Sequence, residues 1–116
     1  DVYKRQNLFY IFNYMDLDQI IWKEKLDSES HAIILDVRTP EEFEISRIPN
    51  SRNVDFYNPQ YFVQELEKLD KDNPYYVYCR TGSRSASSCA LMAELGFNKT
   101  YNLVGGITDW KGKLAN

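Results

Sequence analysis

The chain has 116 residues, of which 43% are hydrophobic and 27% are charged, and its formal net charge is −3. These values are typical of one soluble globular domain with its own core, and they exclude a disordered chain. A slightly negative chain has no general attraction for nucleic acid or for an anionic membrane surface, so we expect neither as a partner. No apolar run approaches the ~18 residues that a membrane-spanning helix requires.

The N-terminal segment is set apart from the fold prediction. The chain opens with Asp1, and the sequence DVYKRQ at residues 1–6 resembles adapter or vector sequence, whereas Met15 is suitable as a start. We therefore expect residues 1–14 to be an extension and residues 15–116 to be the domain. The stretch before Met15 contains Asn13 and has no small-residue cleavage site after it, so no signal peptide is predicted and a cytoplasmic location is expected.

Helical and strand patterns alternate from residue 15 onward. The inner face of a first helix is predicted to consist of Leu17, Ile20, Ile21 and Leu26. A continuous apolar run over residues 32–37 then predicts a strand that is covered on both faces. Thr39 suits the N-cap of a second helix, Pro40 suits its first turn, and Glu42 closes a capping box.

The second half of the chain continues this alternation. A weaker strand over residues 51–56 precedes a helix over residues 60–69, whose inward residues are predicted to be Tyr61, Phe62, Leu66 and Leu69. The remaining predicted elements are a strand over 75–79, a helix over 85–95 that Gly96 ends, a strand over 100–103 and a short helix over 107–111. This order predicts an α/β fold of three layers, in which helices flank both faces of a mostly parallel sheet.

Cys79 is the candidate nucleophile. It ends a predicted strand, and the sequence RTGSR follows it before a helix begins. A tight glycine-containing turn at a helix N-terminus directs several backbone N–H groups toward one point, which favours negative charge on the sulfur. Gly82 allows the backbone to approach closely, and Arg80 and Arg84 add positive charge. Thiols in such surroundings ionise near neutral pH, so we expect a reactive thiolate.

Three motifs in order resemble the rhodanese family of sulfurtransferases. They are CRTGSR at residues 79–84, LDVRTPEEF at residues 35–43 followed by RIPN at 47–50, and NLVGGITDW at residues 102–110. The resemblance extends from about Leu17 to Lys111. The chain departs from the family pattern around Arg47, where glycine and histidine are common, and this departure affects the expected acceptor preference.

The resemblance implies covalent sulfur transfer through a Cys79 persulfide. Thiosulfate or a persulfide is the implied donor, and cyanide, a cellular thiol or a protein is the implied acceptor. No metal and no organic cofactor is implied. The loop expected to bind the persulfide consists of Arg80, Thr81, Gly82, Ser83 and Arg84. The resemblance also assigns Asp36 and Arg38 a bracing role beside this loop.

Two alternatives stay open from the sequence. One is a persulfide carrier or sensing module that serves a single protein partner without turnover. The other is a cysteine phosphatase or arsenate reductase, although those related families place five residues between cysteine and arginine where this chain has four. Cys89 is expected to be a core cysteine, with a resolving role as its alternative. His31 precedes its strand, so it should lie a strand length from Cys79, out of reach as a general base.

Overall fold

The computed structural model describes residues 14–116, in which five strands alternate with five helices. The expected extension, residues 1–14, lies outside this part of the chain except for Tyr14, which is the first residue of a strand. The strands are β1 (Tyr14–Leu17), β2 (Ile33–Asp36), β3 (Arg52–Asn53), β4 (Pro74–Tyr78) and β5 (Lys99–Leu103). The helices are α1 (Gln19–Ser28), α2 (Pro40–Ile45), α3 (Pro59–Glu67), α4 (Ser83–Glu94) and α5 (Gly106–Asp109).

The strands form one sheet in the order β1-β5-β4-β2-β3, and all four pairings are parallel. The central strand β4 is buried along its whole length, as expected for a parallel strand that helices cover on both faces. The α/β prediction is therefore confirmed. Every helix in residues 14–116 falls short of the length and apolarity that crossing a bilayer demands.

Two apolar clusters lie on opposite faces of the sheet because neighbouring residues of β4 point in opposite directions. The cluster under α3 and α4 includes Phe62, Leu66, Tyr75, Val77, Cys79, Cys89 and Met92. The cluster on the α1 and α5 side includes Trp22, Ile34, Tyr76, Tyr78 and Tyr101, with Ile107 packed against it. Cys79 therefore belongs to the cluster on the α3 and α4 side of the sheet.

The predicted inner face of α1 is wrong at two of its residues, whereas Leu26 lies inward as predicted. Ile20 and Ile21 are 69% and 49% exposed, whereas Trp22 is fully buried and donates a hydrogen bond from Nε1 to the carbonyl of Tyr101 at 3.2 Å. The reason is that residues 14–17 form an edge strand beside β5, so the helix begins only after its N-cap Asp18. From there Trp22 and Leu26, four residues apart, share the inward face.

Two further expectations change in the middle of the chain. Tyr61 is 41% exposed rather than inward, because Phe62 and Leu66 occupy the buried face of α3. The predicted strand over residues 51–56 is a regular strand only at Arg52–Asn53, although the amide of Val54 still donates to the carbonyl of Asp36 in β2. The capping box of Thr39 and Glu42 is present as predicted, and it starts α2 with Pro40 in the first turn.

Candidate active site

Cys79 follows β4 directly and is fully buried at the carboxyl edge of the sheet. The backbone then turns sharply at Gly82, whose φ is +108°, and α4 begins at the next residue. The backbone N–H of Gly82 donates a hydrogen bond to Sγ of Cys79 at 3.1 Å. Strand end, glycine turn and helix start therefore bring an amide to the sulfur, as the sequence predicts.

The second close donor to the sulfur is a residue that we did not predict. The hydroxyl of Ser85, in the first turn of α4, donates to Sγ of Cys79 at 3.3 Å, and Ser85 is fully buried. The sequence carries only a weak signal for it, a small hydroxyl residue one position after Arg84. Sequence spacing alone does not show that this turn of the helix faces back toward the strand end.

These donors decide the ionisation of the thiol. Burial raises the pKa of Cys79, but hydrogen bonds from the Ser85 hydroxyl and from the amides of Ser85, Gly82 and Thr81 lower it by more. The net effect is a pKa below the usual thiol value. Backbone and hydroxyl dipoles that point at the sulfur therefore favour a thiolate, which is the nucleophilic form.

The carbonyls of the same segment are held by a different element. The amide of Ile107 donates to the carbonyl of Cys79 at 3.0 Å, and the amide of Thr108 donates to that of Arg80 at 3.1 Å. Gly106, with φ of +60°, permits this approach, because a Cβ there would collide with the carbonyl of Arg80. The first turn of α5 thus engages these two carbonyls, while the amide of Gly82 bonds the sulfur.

Arg84 is held by a carboxylate from α2. Its two terminal nitrogens bond the two oxygens of Glu42 at 2.8 and 3.1 Å, and its guanidinium carbon lies 5.0 Å from the centre of the Tyr57 ring. The hydrogen bond from Arg84 is the main reason that the pKa of Glu42 falls to about 2. These contacts lock the loop against α2 and engage the positive charge that the sequence analysis assigned to anion attraction. Glu42 was predicted only as a capping residue.

The remaining predicted loop side chains are exposed. Arg80, Thr81 and Ser83 lie at the surface of the loop, with Arg80 directly after the nucleophile. Thr81 nevertheless contributes its amide to the lowered pKa of Cys79. The structure thus separates a buried set of donors around the sulfur from an exposed rim.

Asp36 and Arg38 form a buried ion pair beside the site. Nη2 of Arg38 lies 2.6 Å from Oδ2 of Asp36 and also donates to the carbonyl of Ser46. The Arg38 guanidinium carbon is 5.6 Å from the centre of the Tyr78 ring, and Tyr78 immediately precedes Cys79. These contacts order the segment after β2. Tyr78 connects the ion pair to the Cys79 loop (residues 79–84). Helix α2 connects it to the same loop a second time, through the bond between Glu42 and Arg84.

The other singled-out residues lie elsewhere. Cys89 is fully buried in the core, and burial raises the pKa of its thiol far above the usual value, which suits the core assignment. His31 lies two residues before β2, at the end of the sheet opposite Cys79. Arg47 pairs through its backbone with Ala115 and packs its guanidinium on the Phe43 ring.

Within residues 14–116, no cluster of side chains suited to a metal ion occurs.

The fold and the site together define a class: an α/β domain with a buried cysteine in an amide-lined loop at the carboxyl edge of a parallel sheet. The family model described as "Rhodanese-like domain" matches residues 16–113. Because this match covers most of the chain, the protein belongs to the rhodanese-like domain family. The family resemblance drawn from the three motifs is confirmed.

Individual relatives agree with this assignment. YtwF of Bacillus subtilis is 35% identical over 91 residues, which cover 78% of this chain and 84% of that protein. Thiosulfate sulfurtransferase GlpE of Pseudomonas syringae is 35% identical over 83 residues, which cover 72% of this chain and 76% of that enzyme. The crystal structure of a rhodanese-related protein from Thermoplasma volcanium superimposes with a TM-score of 0.74 at 27% identity, covering 88% of this chain and 98% of that one.

Proposed function

We propose that this protein is a sulfurtransferase that carries a sulfane sulfur as a persulfide on Cys79. The observation that carries the proposal is the pair of donors on Sγ, the amide of Gly82 at 3.1 Å and the hydroxyl of Ser85 at 3.3 Å. They stabilise a thiolate where the chain provides no histidine base. The similarity to a thiosulfate sulfurtransferase, GlpE of Pseudomonas syringae, supports the same chemistry.

In the first step the Cys79 thiolate attacks the outer sulfur of a donor such as thiosulfate. A new S–S bond forms to Cys79, the S–S bond of thiosulfate breaks, and sulfite leaves with the electron pair. In the second step an acceptor nucleophile, cyanide or a thiol, attacks the outer sulfur of the persulfide and Cys79 leaves as a thiolate. Each step breaks one S–S bond and forms one new bond to the transferred sulfur, S–S with a thiol or S–C with cyanide, so no external oxidant is needed.

The loop would act on charge in both steps. The Gly82 amide and Ser85 hydroxyl lower the free energy of the thiolate that starts the first step and ends the second. Arg80 is exposed beside them and would attract an anionic donor to the loop. A cytoplasmic location belongs to the proposal, because a reducing compartment keeps a thiol of this kind available.

Intact-mass measurement after incubation with thiosulfate tests the proposal. Wild type should gain about 32 Da, one sulfur, and lose it on treatment with a reducing thiol. Cys79→Ser should gain nothing, whereas Cys89→Ala, the matched control at a buried core cysteine, should still gain one sulfur. An adduct that persists in Cys79→Ser would place the reaction elsewhere in the chain.

A further inference from the structure

An apolar cavity of about 370 Å³ lies between α3, α4 and the segment before α3. Its lining residues are Phe56, Tyr57, Pro59, Phe62, Val63 and Leu91. Tyr57 is 66% exposed and Val63 is 36% exposed, so the cavity opens to solvent at its rim. Its volume is at the lower end of the range typical of small-molecule sites, which are also lined mainly by apolar and aromatic side chains.

This cavity adjoins the Cys79 loop. Its rim residue Tyr57 contacts Arg84, the last residue of that loop, with 5.0 Å between ring centre and guanidinium carbon. Its inner residues Phe56 and Leu91 pack against the same apolar cluster that contains Cys79. A molecule that presents a sulfur atom to the loop therefore has an apolar surface beside it.

The charge of this side of the loop is already balanced. Both terminal nitrogens of Arg84 bond the carboxylate of Glu42, so the cation next to the cavity already has an anionic partner. An anion placed here would meet Glu42 as well as Arg84 and gain little attraction. An uncharged apolar group, in contrast, gains free energy by covering Tyr57 and Val63. The exposed Arg80 leaves the other part of the loop suited to anions.

We propose that this cavity binds the apolar group of a thiol that accepts sulfur from the Cys79 persulfide. The inference rests on the proposed function and specifies its second step. The thiolate of the acceptor attacks the outer sulfur, forming a new S–S bond and breaking the one to Cys79, which keeps the electron pair. The products are the acceptor persulfide and the Cys79 thiolate. The preferred acceptor is thus an uncharged thiol with an aliphatic or aromatic substituent.

A discharge experiment tests this preference separately from the persulfide itself. Protein is first loaded with thiosulfate and the load is verified by mass, and its loss is then timed with ethanethiol and with 1-butanethiol. These two thiols have similar acidity and differ by two methylenes, so wild type should discharge roughly tenfold faster with butanethiol. Failure to load would contradict the proposed function, whereas equal rates from loaded protein would contradict only the acceptor site.

Variants locate the effect. Val63→Asp places a charge at the cavity rim and should bring the ratio of the two discharge rates close to one. Tyr57→Ala removes a rim side chain that is 66% exposed and should also lower the ratio. The matched control is Ile20→Asp, an exposed residue on α1 across the sheet, which should keep the wild-type ratio. A ratio retained in both cavity variants, with circular dichroism showing folded protein, would overturn the assignment.

Discussion

Replacing Ser85 with alanine should raise the pKa of Cys79. The Ser85 hydroxyl donates to Sγ at 3.3 Å in a buried site, and it bonds the thiolate more strongly than the thiol. A hydrogen bond to a charged group contributes about 1.5–3 kcal/mol, and a long bond to sulfur belongs near the lower end. A loss of about 1.4 kcal/mol corresponds to about one pKa unit.

Site-resolved alkylation with iodoacetamide across pH measures this shift. Only the thiolate reacts, so at a pH below the pKa of Cys79 the Ser85→Ala protein should alkylate roughly tenfold more slowly than wild type. The midpoint of the titration reports the pKa, whereas the plateau rate also reflects access to the buried sulfur. Peptide mapping separates Cys79 from Cys89, whose thiol should stay unreactive because burial raises its pKa.

Ser88→Ala is the matched control. Ser88 is also buried on α4, but its hydroxyl donates to the carbonyl of Arg84 at 2.8 Å rather than to sulfur. Its removal should leave the titration midpoint of Cys79 where it is in wild type. Equal midpoints in wild type, Ser85→Ala and Ser88→Ala would refute the account of the lowered pKa.

Three further outcomes follow from the geometry. Gly106→Ala should lower the urea midpoint by more than Gly96→Ala, because only a Cβ at Gly106 would collide with the Arg80 backbone. The strain of a positive φ, about 1–2 kcal/mol, is common to both variants, and equal losses would contradict the role of this contact. Glu42 has a folded pKa of about 2, below its ordinary value, so its stabilising effect is present above that ordinary value and is lost as pH falls toward 2. The urea midpoint of wild type should therefore drop more steeply over this acid range than that of Glu42→Gln, and parallel curves would refute the role of the pair. His31→Asn, which suits the φ of +63° at this position, should keep sulfur transfer within a few-fold of wild type, and a loss beyond about 100-fold would restore histidine as a base.

Local signals account for what the sequence predicted well. The capping box of Thr39 and Glu42 depends on residues three apart, and the stop at Gly96 depends on one left-handed residue. Cys79 was identified because a strand, a glycine turn and a helix start are contiguous in the chain. Each of these features is decided within a few residues, so periodicity and turn chemistry are sufficient to find it.

The parts that were missed depend on distant contacts. Arg84 and Glu42 are 42 positions apart, and nothing in either local sequence shows that α2 and α4 bring them together. The edge strand β1 forms only by pairing with β5 near the other end of the chain, and this pairing moved the start of α1. The need for Gly106 likewise comes from its approach to the carbonyl of Arg80.

A single-turnover chase measures whether sulfur travels from donor to acceptor through Cys79. Thiosulfate labelled in its outer sulfur would load the protein, free donor would be removed, and a thiol acceptor would then be added. We expect the label on the Cys79 peptide before the chase, and we expect it to appear in the acceptor persulfide as fast as the protein loses it. Label that never binds to Cys79, or that stays on it while the acceptor gains none, would contradict the account.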